Sequence, residues 1–160
     1  MRQVYLSVGS NEEPRKHVAM ALEAINALFS PIEFSSVYES VAVGFEGDNF
    51  FNLVVGFETE LPLTELDERL DQIEQDCGRK RGGERFASRT MDLDLLVYGD
   101  HVCHDEHWDI PRGEITRYAF VLKPLAELAP DFLHPESGLS FSQLWETSDF
   151  SGQDLWRVEF

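Results

Sequence analysis

Residues 50–58 read FFNLVVGFE, a run that is apolar over most of its length. Short continuous apolar runs rich in aromatic and β-branched residues predict strands, and this one is expected to be more fully buried than its neighbours. Outward from it, residues 4–8 (VYLSV) and 91–98 (MDLDLLVY) have strand composition, and residues 32–39 alternate between apolar and polar side chains. These patterns therefore predict a sheet in which residues 50–58 form the third strand.

Two stretches between these strands carry apolar residues at helical spacing. Residues 14–29 place a proline in the first turn and apolar side chains on one face. Residues 62–77 show the same spacing, and Gly78 follows as a typical helix end. The order strand, helix, strand, strand, helix, strand is that of a ferredoxin-like α+β sandwich. Residues 119–128 and 140–145 are predicted to add a helical C-terminal extension.

The composition limits the class of protein. With 160 residues the chain is expected to form one domain, and 30 acidic against 13 basic residues give a formal net charge of -17. A field of that sign repels nucleic acids and anionic membrane surfaces, so neither is expected as a partner. The apolar runs are too short for a membrane span, the N-terminus lacks a signal-peptide layout, and the two cysteines are too few for a disulfide scaffold. We therefore expect a cytoplasmic protein that acts as a monomer.

The basic residues are concentrated in one stretch, residues 78–94, which reads GRKRGGERFASRTMDLD. Its glycines disfavour a helix and predict a flexible loop. Guanidinium groups on such a loop suit a polyphosphate, because each can make two parallel bonds to phosphate oxygens. The basic side chains of this loop are Arg79, Lys80, Arg81, Arg85 and Arg89.

Two carboxylates follow this loop directly. Asp92 and Asp94 are two residues apart on a predicted strand, so strand alternation directs both to one face and Leu93 to the other. Paired carboxylates on a rigid strand are a typical way to hold Mg²⁺ together with substrate phosphates. From the residues alone, two interpretations stay open: a Mg²⁺-dependent phosphotransfer site, or a solvated basic helix end beside an exposed strand edge.

The same stretch, extended back to Glu74, resembles the signature of the 6-hydroxymethyl-7,8-dihydropterin pyrophosphokinase family of the folate pathway. The resemblance continues in order along nearly the whole chain. Residues 5–11 (YLSVGSN) resemble the opening strand of the family, and residues 50–52 resemble its aromatic residue and asparagine at the third strand. Residues 122–130 (LKPLAELAP) and 133–135 (LHP) resemble its C-terminal part.

The resemblance implies a reaction and its participants. Pyrophosphate would pass from ATP, with two Mg²⁺ ions, to the hydroxymethyl group of a reduced pterin, and AMP would be released. Asp92 and Asp94 would hold both metal ions, and Arg79 and Arg89 would act with them as catalytic residues. The residues implied for the nucleotide are Glu74, Arg81 and Arg85, and we add Arg112 and Arg117 as candidates for the same role. The residues implied for the pterin are Ser40, Val41, Val43, Phe50, Asn52, Phe86 and Phe120.

Several departures from the family pattern fall on the nucleotide side. Ala87-Ser88 stand where the family has Gly-Pro, and Phe86 stands where it often has tryptophan. Arg112 occupies the position of a histidine and Tyr118 that of an arginine, so Arg112 or Arg117 could supply a replacement charge. The alternative function is a catalytically weak paralogue that binds a pterin or nucleotide as a regulatory module. A third is an unrelated Mg²⁺-dependent phosphotransferase on the same type of sheet.

A second group of polar residues lies in the segment 101–117, which is predicted as a hairpin or loop. Its residue types are those of metal ligands, but their spacing fits no standard zinc pattern. We therefore interpret the group as a polar surface loop. Its members are His101, Cys103, His104, Asp105, Glu106, His107 and Asp109.

Overall fold

In the computed structural model of the protein, the described residues are 1–41, 47–77 and 91–160. The predictions for Val43, Phe86 and the basic residues from 79 to 89 lie outside these ranges. The strands are β1 (Arg2–Ser10), β2 (Glu33–Phe34), β3 (Val37–Ser40), β4 (Phe50–Thr59), β5 (Asp92–Tyr98), β6 (Cys103–His104), β7 (Asp109–Ile110) and β8 (Leu155–Val158). The helices are α1 (Pro14–Phe29), α2 (Leu63–Asp76), α3 (Glu114–Arg117), α4 (Ala119–Leu128) and α5 (Phe141–Thr147).

The long strands form one antiparallel sheet. Its path runs β5–β1–β4–β3–β8, and the short β2 pairs with β4 beside this path. In the register of β1, Gly9 lies opposite Asn52 of β4 on one side and opposite Asp92 of β5 on the other. β6 and β7 pair separately as a hairpin. The architecture is thus a mixed α/β fold built on an antiparallel sheet.

Helices cover both faces of this sheet. On one face α1 and α2 bury apolar side chains such as Ile25 against the strands. On the other face α3, α4 and α5 do the same with residues such as Leu122 and Phe141. Leu53 and Val54 of β4 belong to opposite cores, which explains why residues 50–58 form a continuous apolar run. Of the helices in the described ranges, none combines the length and apolar character that a membrane crossing requires.

The predicted second strand, residues 32–39, is divided into β2 and β3. Between them Ser35 is buried, and its backbone N–H donates to the Val54 carbonyl oxygen at 2.9 Å while its Oγ accepts from the Val54 N–H at 3.0 Å. A side-chain oxygen therefore takes the place of a backbone carbonyl, which interrupts the strand. By contrast, the helices predicted over 14–29 and 119–128 have those bounds in the structure.

Two C-terminal elements were not predicted. Residues 114–117, expected within a hairpin or loop, form the single turn of α3. β8 was missed because it is a short edge strand whose residues are half-buried or exposed, so its composition shows no buried face. Its pairing with β3 in the antiparallel sheet makes it a strand, and the extension after α4 is not purely helical.

Glu127, near the end of α4, joins this helix to β3. Its Oε1 accepts a hydrogen bond from the Tyr38 hydroxyl, and its Oε2 accepts one from the Ser36 backbone N–H at 2.8 Å. Burial raises the pKa of this carboxyl, but the hydrogen bonds from Tyr38 and Ser36 outweigh burial, so the pKa lies below its usual value. Burial and the hydrogen bond to Glu127 raise the pKa of Tyr38 to about 12. The ionised form of Glu127 therefore stabilises the fold.

We expect Glu127→Gln to lower the free energy of unfolding at neutral pH by about 1–2 kcal/mol, because a charged acceptor of two hydrogen bonds becomes neutral. Since the pKa is depressed in the folded state, this contribution is present above the unfolded-state pKa of about 4.3 and is lost as the pH falls through the folded-state value. Urea unfolding of both proteins across this pH range measures it. Glu23→Gln, on the exposed side of α1, is the matched control. A Glu127→Gln difference that persists undiminished in acid would contradict the assignment.

Candidate active site

The two aspartates predicted to bind metal lie on one face of the sheet. In the pairing of β5 with β1, Asp92 is opposite Gly9 and Asp94 is opposite Ser7. Directly opposed residues of antiparallel strands share a face, and Asn52 is opposite Gly9 on its other side. Asp92, Gly9 and Asn52 therefore form one row across three strands, with Asp94 beside it. Both aspartates are half-buried.

This row, Asp92, Gly9 and Asn52, lies at the edge of the sheet face that α3, α4 and α5 cover, and we call it the rim. Val54, two residues along β4 from Asn52, belongs to the core beneath those helices. The row lies where β1 ends and where β4 and β5 begin. A Cβ at Gly9 would lie 3.6 Å from Asn52 Oδ1 and 3.9 Å from Cδ1 of Phe50. Because glycine has no side chain, Gly9 leaves the sheet surface between the Asn52 amide and the Asp92 carboxylate uncovered.

Asn52 is a polar residue of β4 that is buried, with 3% of its surface exposed. Its Nδ2 lies 2.8 Å from Ser40 Oγ, 3.3 Å from the Tyr38 carbonyl oxygen and 3.4 Å from the Phe50 carbonyl oxygen. Three acceptors around one amide nitrogen fix the orientation of the side chain. The rim thus carries a preoriented amide, next to the half-buried ring of Phe50.

Glu74, in the last turn of α2, is buried with 4% of its surface exposed. Its Oε2 accepts a hydrogen bond from the backbone N–H of Leu93 at 2.9 Å. Because Leu93 separates Asp92 from Asp94, Glu74 holds the strand backbone that carries both carboxylates. The resemblance places Glu74 on the nucleotide side, and a contact with nucleotide stays a prediction.

Arg112 brings a cation to the carboxylates. Its Nη2 lies 3.6 Å from Asp94 Oδ1 and 2.9 Å from Glu114 Oε1. Within the described part of the chain its buried Nε has no hydrogen-bond partner. Burial lowers the pKa of this guanidinium, but the carboxylates of Asp94 and Glu114 raise it more, so the net shift of its pKa is upward. Glu114 was not singled out from the sequence, although an acid two residues after Arg112 is the signal that could have found it.

We expect Arg112→Gln to lower the free energy of unfolding by about 1–3 kcal/mol in metal-free buffer, because Asp94 and Glu114 lose the cation they share. Mg²⁺ should then stabilise the variant more than it stabilises the wild type, since a divalent ion can replace that cation. Thermal unfolding with and without saturating Mg²⁺ measures both effects. Arg69→Gln, on the exposed side of α2, is the control. Equal Mg²⁺ stabilisation of all three proteins would contradict this view of Arg112.

An aromatic pair stands at the start of α4. The rings of Tyr118 and Phe120 stack with centroids 5.0 Å apart at an interplanar angle of 19°. Together with Ser40 and Val41 they line a cavity of about 320 Å³. The structure therefore brings together Ser40, Val41 and Phe120, three of the residues that the resemblance assigns to the pterin.

Arg117, the other candidate replacement charge, lies at the junction of α3 and α4. Its Nε donates to the Gly113 carbonyl oxygen at 3.3 Å, and its guanidinium carbon is 6.0 Å from the ring centre of Tyr118. These contacts put it on the aromatic side of the rim. The remaining site residues lie outside the described residues, and their roles stay predictions: Val43, Arg79, Arg81, Arg85, Phe86 and Arg89.

The polar segment after β5 contains the β6–β7 hairpin, in which His104 is paired with two acidic side chains. His104 Nε2 lies 2.6 Å from Glu136 Oε1, and its Nδ1 lies 2.7 Å from Asp109 Oδ1. The hydrogen bonds to Glu136 and Asp109 raise the pKa of this imidazole. Across the three described ranges, His, Cys, Asp and Glu side chains form no group of three or more that could hold a metal ion. Most residues from 101 to 109 are exposed, as the interpretation of this segment as a polar surface loop predicts.

A carboxylate pair, a fixed amide and an aromatic-lined cavity on one rim of an α/β fold are the features expected of a site that binds small molecules. The chain belongs to the 7,8-dihydro-6-hydroxymethylpterin-pyrophosphokinase family, whose sequence model matches residues 5–130. This match begins within β1 and ends just after α4, so it includes every described residue that we assign to the site.

Individual relatives agree with this membership. A 2-amino-4-hydroxy-6-hydroxymethyldihydropteridine pyrophosphokinase of Aquifex aeolicus is 35% identical over 139 residues, which cover 84% of this chain and 85% of that protein. A protein of the same name from Haemophilus influenzae is 38% identical over 142 residues, covering 86% and 88%. The crystal structure of wild-type Plasmodium falciparum HPPK-DHPS matches 91% of this chain with a TM-score of 0.69 at 13% identity. This chain spans 43% of that longer protein, and the likeness concerns the fold alone.

Proposed function

We propose that this protein transfers pyrophosphate from ATP to the hydroxymethyl group of 6-hydroxymethyl-7,8-dihydropterin, giving AMP and the pterin diphosphate in folate biosynthesis. Family membership supports the reaction. One observation links the reaction to particular residues. Asp92, Gly9 and Asn52 lie in one row on one face of the sheet, and Asp94 lies beside this row. A carboxylate pair for the phosphates and an amide for the heterocycle on the same rim can bring the two substrates together.

The donor set of the carboxylate pair fits Mg²⁺, which prefers oxygen ligands and is usually held by one or two carboxylates together with substrate phosphates. We assign two Mg²⁺ ions to Asp92 and Asp94. When bound, the ions neutralise negative charge on the phosphate oxygens. Through its hydrogen bond to Leu93, Glu74 holds both carboxylates in place before substrate arrives.

At the other end of the row, Asn52 would hydrogen-bond the polar edge of the pterin. Phe50 and Phe120 would line the faces of the heterocycle, and Ser40 would keep the amide oriented through its Oγ. Val41 would complete the wall, and we assign Val43 to the pterin as well. The pterin hydroxyl oxygen then attacks the β-phosphorus in line, the bond from this phosphorus to the oxygen that bridges it to the α-phosphorus breaks, AMP leaves and the hydroxyl proton passes to solvent. Positioning and charge neutralisation would provide the catalysis.

We assign the arginines between residues 79 and 89 to the phosphates of ATP. Arg79 and Arg89 would stabilise the transferring group, and the bidentate geometry of guanidinium suits this contact. Arg112 would add a cation next to Asp94, from which it lies 3.6 Å away. The further residues assigned to the nucleotide are Arg81, Arg85 and Arg117, and Phe86 is assigned to the pterin.

We further propose a single ferredoxin-like domain that acts as a monomer in the cytoplasm. The strand order β5–β1–β4–β3 supports the arrangement, because it places the fourth, first, third and second strands of the predicted pattern side by side. Two free cysteines suit a reducing compartment. The net charge of -17 favours small-molecule partners over nucleic acid.

The direct test incubates the protein with ATP, Mg²⁺ and 6-hydroxymethyl-7,8-dihydropterin and separates the products by chromatography. We expect AMP and the pterin diphosphate in equal amounts, and no AMP when the pterin or Mg²⁺ is omitted. Folded protein that forms no AMP with saturating substrates would refute the proposal.

A second candidate, a binding module without efficient transfer, is favoured by the pairing of Arg112 with Asp94 and Glu114. Calorimetric titration separates the two functions. Pterin binding without binding of ATP and Mg²⁺ would support the module, whereas binding of both together with AMP formation would support the enzyme.

A further inference from the structure

Gln153, just before β8, ties the C-terminal part of the chain to the start of α4. Its Oε1 accepts a hydrogen bond from the Ala119 backbone N–H at 2.9 Å, and its Nε2 donates to the Arg117 carbonyl oxygen at 3.0 Å. Both ends of one amide are therefore bonded to the backbone on either side of Tyr118. A bidentate contact of this kind fixes the backbone position as well as the distance between the segments.

The turn that presents Gln153 is itself held in place. Gly152 has φ +83°, a conformation suited to glycine, and the Gln153 backbone N–H donates to the Phe150 carbonyl oxygen at 3.0 Å. The Phe150 ring stacks on Trp145 of α5 with centroids 5.3 Å apart. Directly after the turn, Leu155 of β8 pairs with Ser40 of β3. Gln153 is thus supported from α5 on one side and from the sheet on the other.

This turn and the aromatic pair enclose one cavity. Residues 152–155 line the cavity of about 320 Å³ from one side, and Ser40, Val41, Tyr118 and Phe120 line it from the others. Its size falls within the range typical of small-molecule sites. Because Gln153 is hydrogen-bonded to the backbone at Arg117 and Ala119, it helps to fix the positions of Tyr118 and Phe120 in the cavity lining.

We propose that Gln153 is a positioning residue for the pterin, acting through the backbone of residues 117–119 to hold the aromatic wall at Phe120. This inference rests on the proposed function of the site. The chain after residue 130, beyond the stretch that the family model matches, would then take part in substrate binding. The carboxylate pair lies on β5, and Gln153 contacts the nucleotide candidate Arg117 through its backbone carbonyl oxygen. Binding of ATP should therefore depend on Gln153 much less than binding of the pterin.

Two substitutions test the proposal. Gln153→Met keeps the length of the side chain but removes both hydrogen bonds, and it should raise KM and Kd for the pterin about tenfold while changing Kd for ATP less than about twofold. Gln153→Glu keeps the acceptor for the Ala119 N–H and should fall between Met and wild type. Gln143→Met, which removes another glutamine amide bonded to backbone at the start of α5, is the matched control.

Hydrogen exchange separates this inference from the proposed function. In the protein without substrates, the amides of residues 118–121 should exchange faster in Gln153→Met than in wild type or Gln143→Met. Faster exchange together with weaker pterin binding supports the proposal. A pterin Kd unchanged in folded Gln153→Met, or equal losses for ATP and pterin, would overturn it. If the wild type binds no pterin, the proposed function fails, and Gln153 as a pterin-positioning residue fails with it even where exchange is faster.

Discussion

Asp92→Asn is expected to lower kcat for pyrophosphate transfer by about 10²- to 10³-fold. The substitution removes a negative charge that would hold Mg²⁺ beside the reacting phosphates. Asparagine has the same shape, and the backbone bond between Glu74 and Leu93 should persist. The substitution therefore removes charge without moving the strand. Asp94→Asn should have an effect of similar size.

The double variant of Asp92 and Asp94 should be little worse than either single variant if the two carboxylates act as one metal-binding unit. Initial rates of AMP formation at saturating Mg²⁺ measure this, and calorimetry with Mg²⁺ and a non-hydrolysable ATP analogue reports metal-dependent binding separately. Asp100→Asn, in the exposed turn after β5, is the matched control. A near-normal rate for Asp92→Asn would show that the pair does not hold the catalytic metal.

Asn52→Leu is expected to weaken pterin binding by about 10- to 10²-fold, because the ligand would face an apolar side chain where it needs hydrogen bonds. The same change leaves Ser40 Oγ and the Tyr38 carbonyl oxygen without the amide nitrogen that they now share. Pterin Kd, measured by calorimetry in the absence of ATP, reports the loss. Binding of ATP with Mg²⁺ should stay within about twofold, since Asp92 and Asp94 are unchanged.

Asn52→Asp is the second variant, since Asn52→Leu can also disturb the packing of β4. Aspartate keeps the shape and an acceptor oxygen but loses the donor to Ser40, so it should bind pterin more weakly than wild type while remaining folded. Asn26→Leu, on the exposed side of α1, controls for an asparagine-to-leucine change away from the site. Unchanged pterin affinity in a folded Asn52→Asp protein would remove Asn52 from the binding site.

Local patterns made much of this site predictable. Asp92 and Asp94 share a face because strand side chains alternate, and that rule needs only their spacing. Asn52 was recognisable as a polar residue inside an apolar run, and its burial follows from the two-sided core. The chemistry of the arginines between residues 79 and 89 indicated phosphate binding, and the family resemblance assigned their individual roles. Both remain predictions.

Other parts of the site depend on contacts between residues far apart in the sequence. The pairing of Arg112 with Asp94 joins the segment after the hairpin to β5. Glu127 bonds Tyr38 across a separation of 89 residues, and Gln153 bonds Ala119 across 34. Sequence periodicity does not identify such pairs, because each contact depends on which elements pack against each other in the folded protein.

The amino-acid sequence by itself determined the longer helices and the buried strands β1, β4 and β5, and it placed both aspartates on one side of β5. Periodicity and side-chain chemistry act over a few neighbouring residues, so they can be read directly along the chain. Only the tertiary structure decided that Asn52 and Asp92 flank Gly9, that β8 completes the sheet and that Gln153 supports the aromatic wall. Strand register and inter-element hydrogen bonds depend on how the whole chain packs, and that packing has no local signature in the sequence.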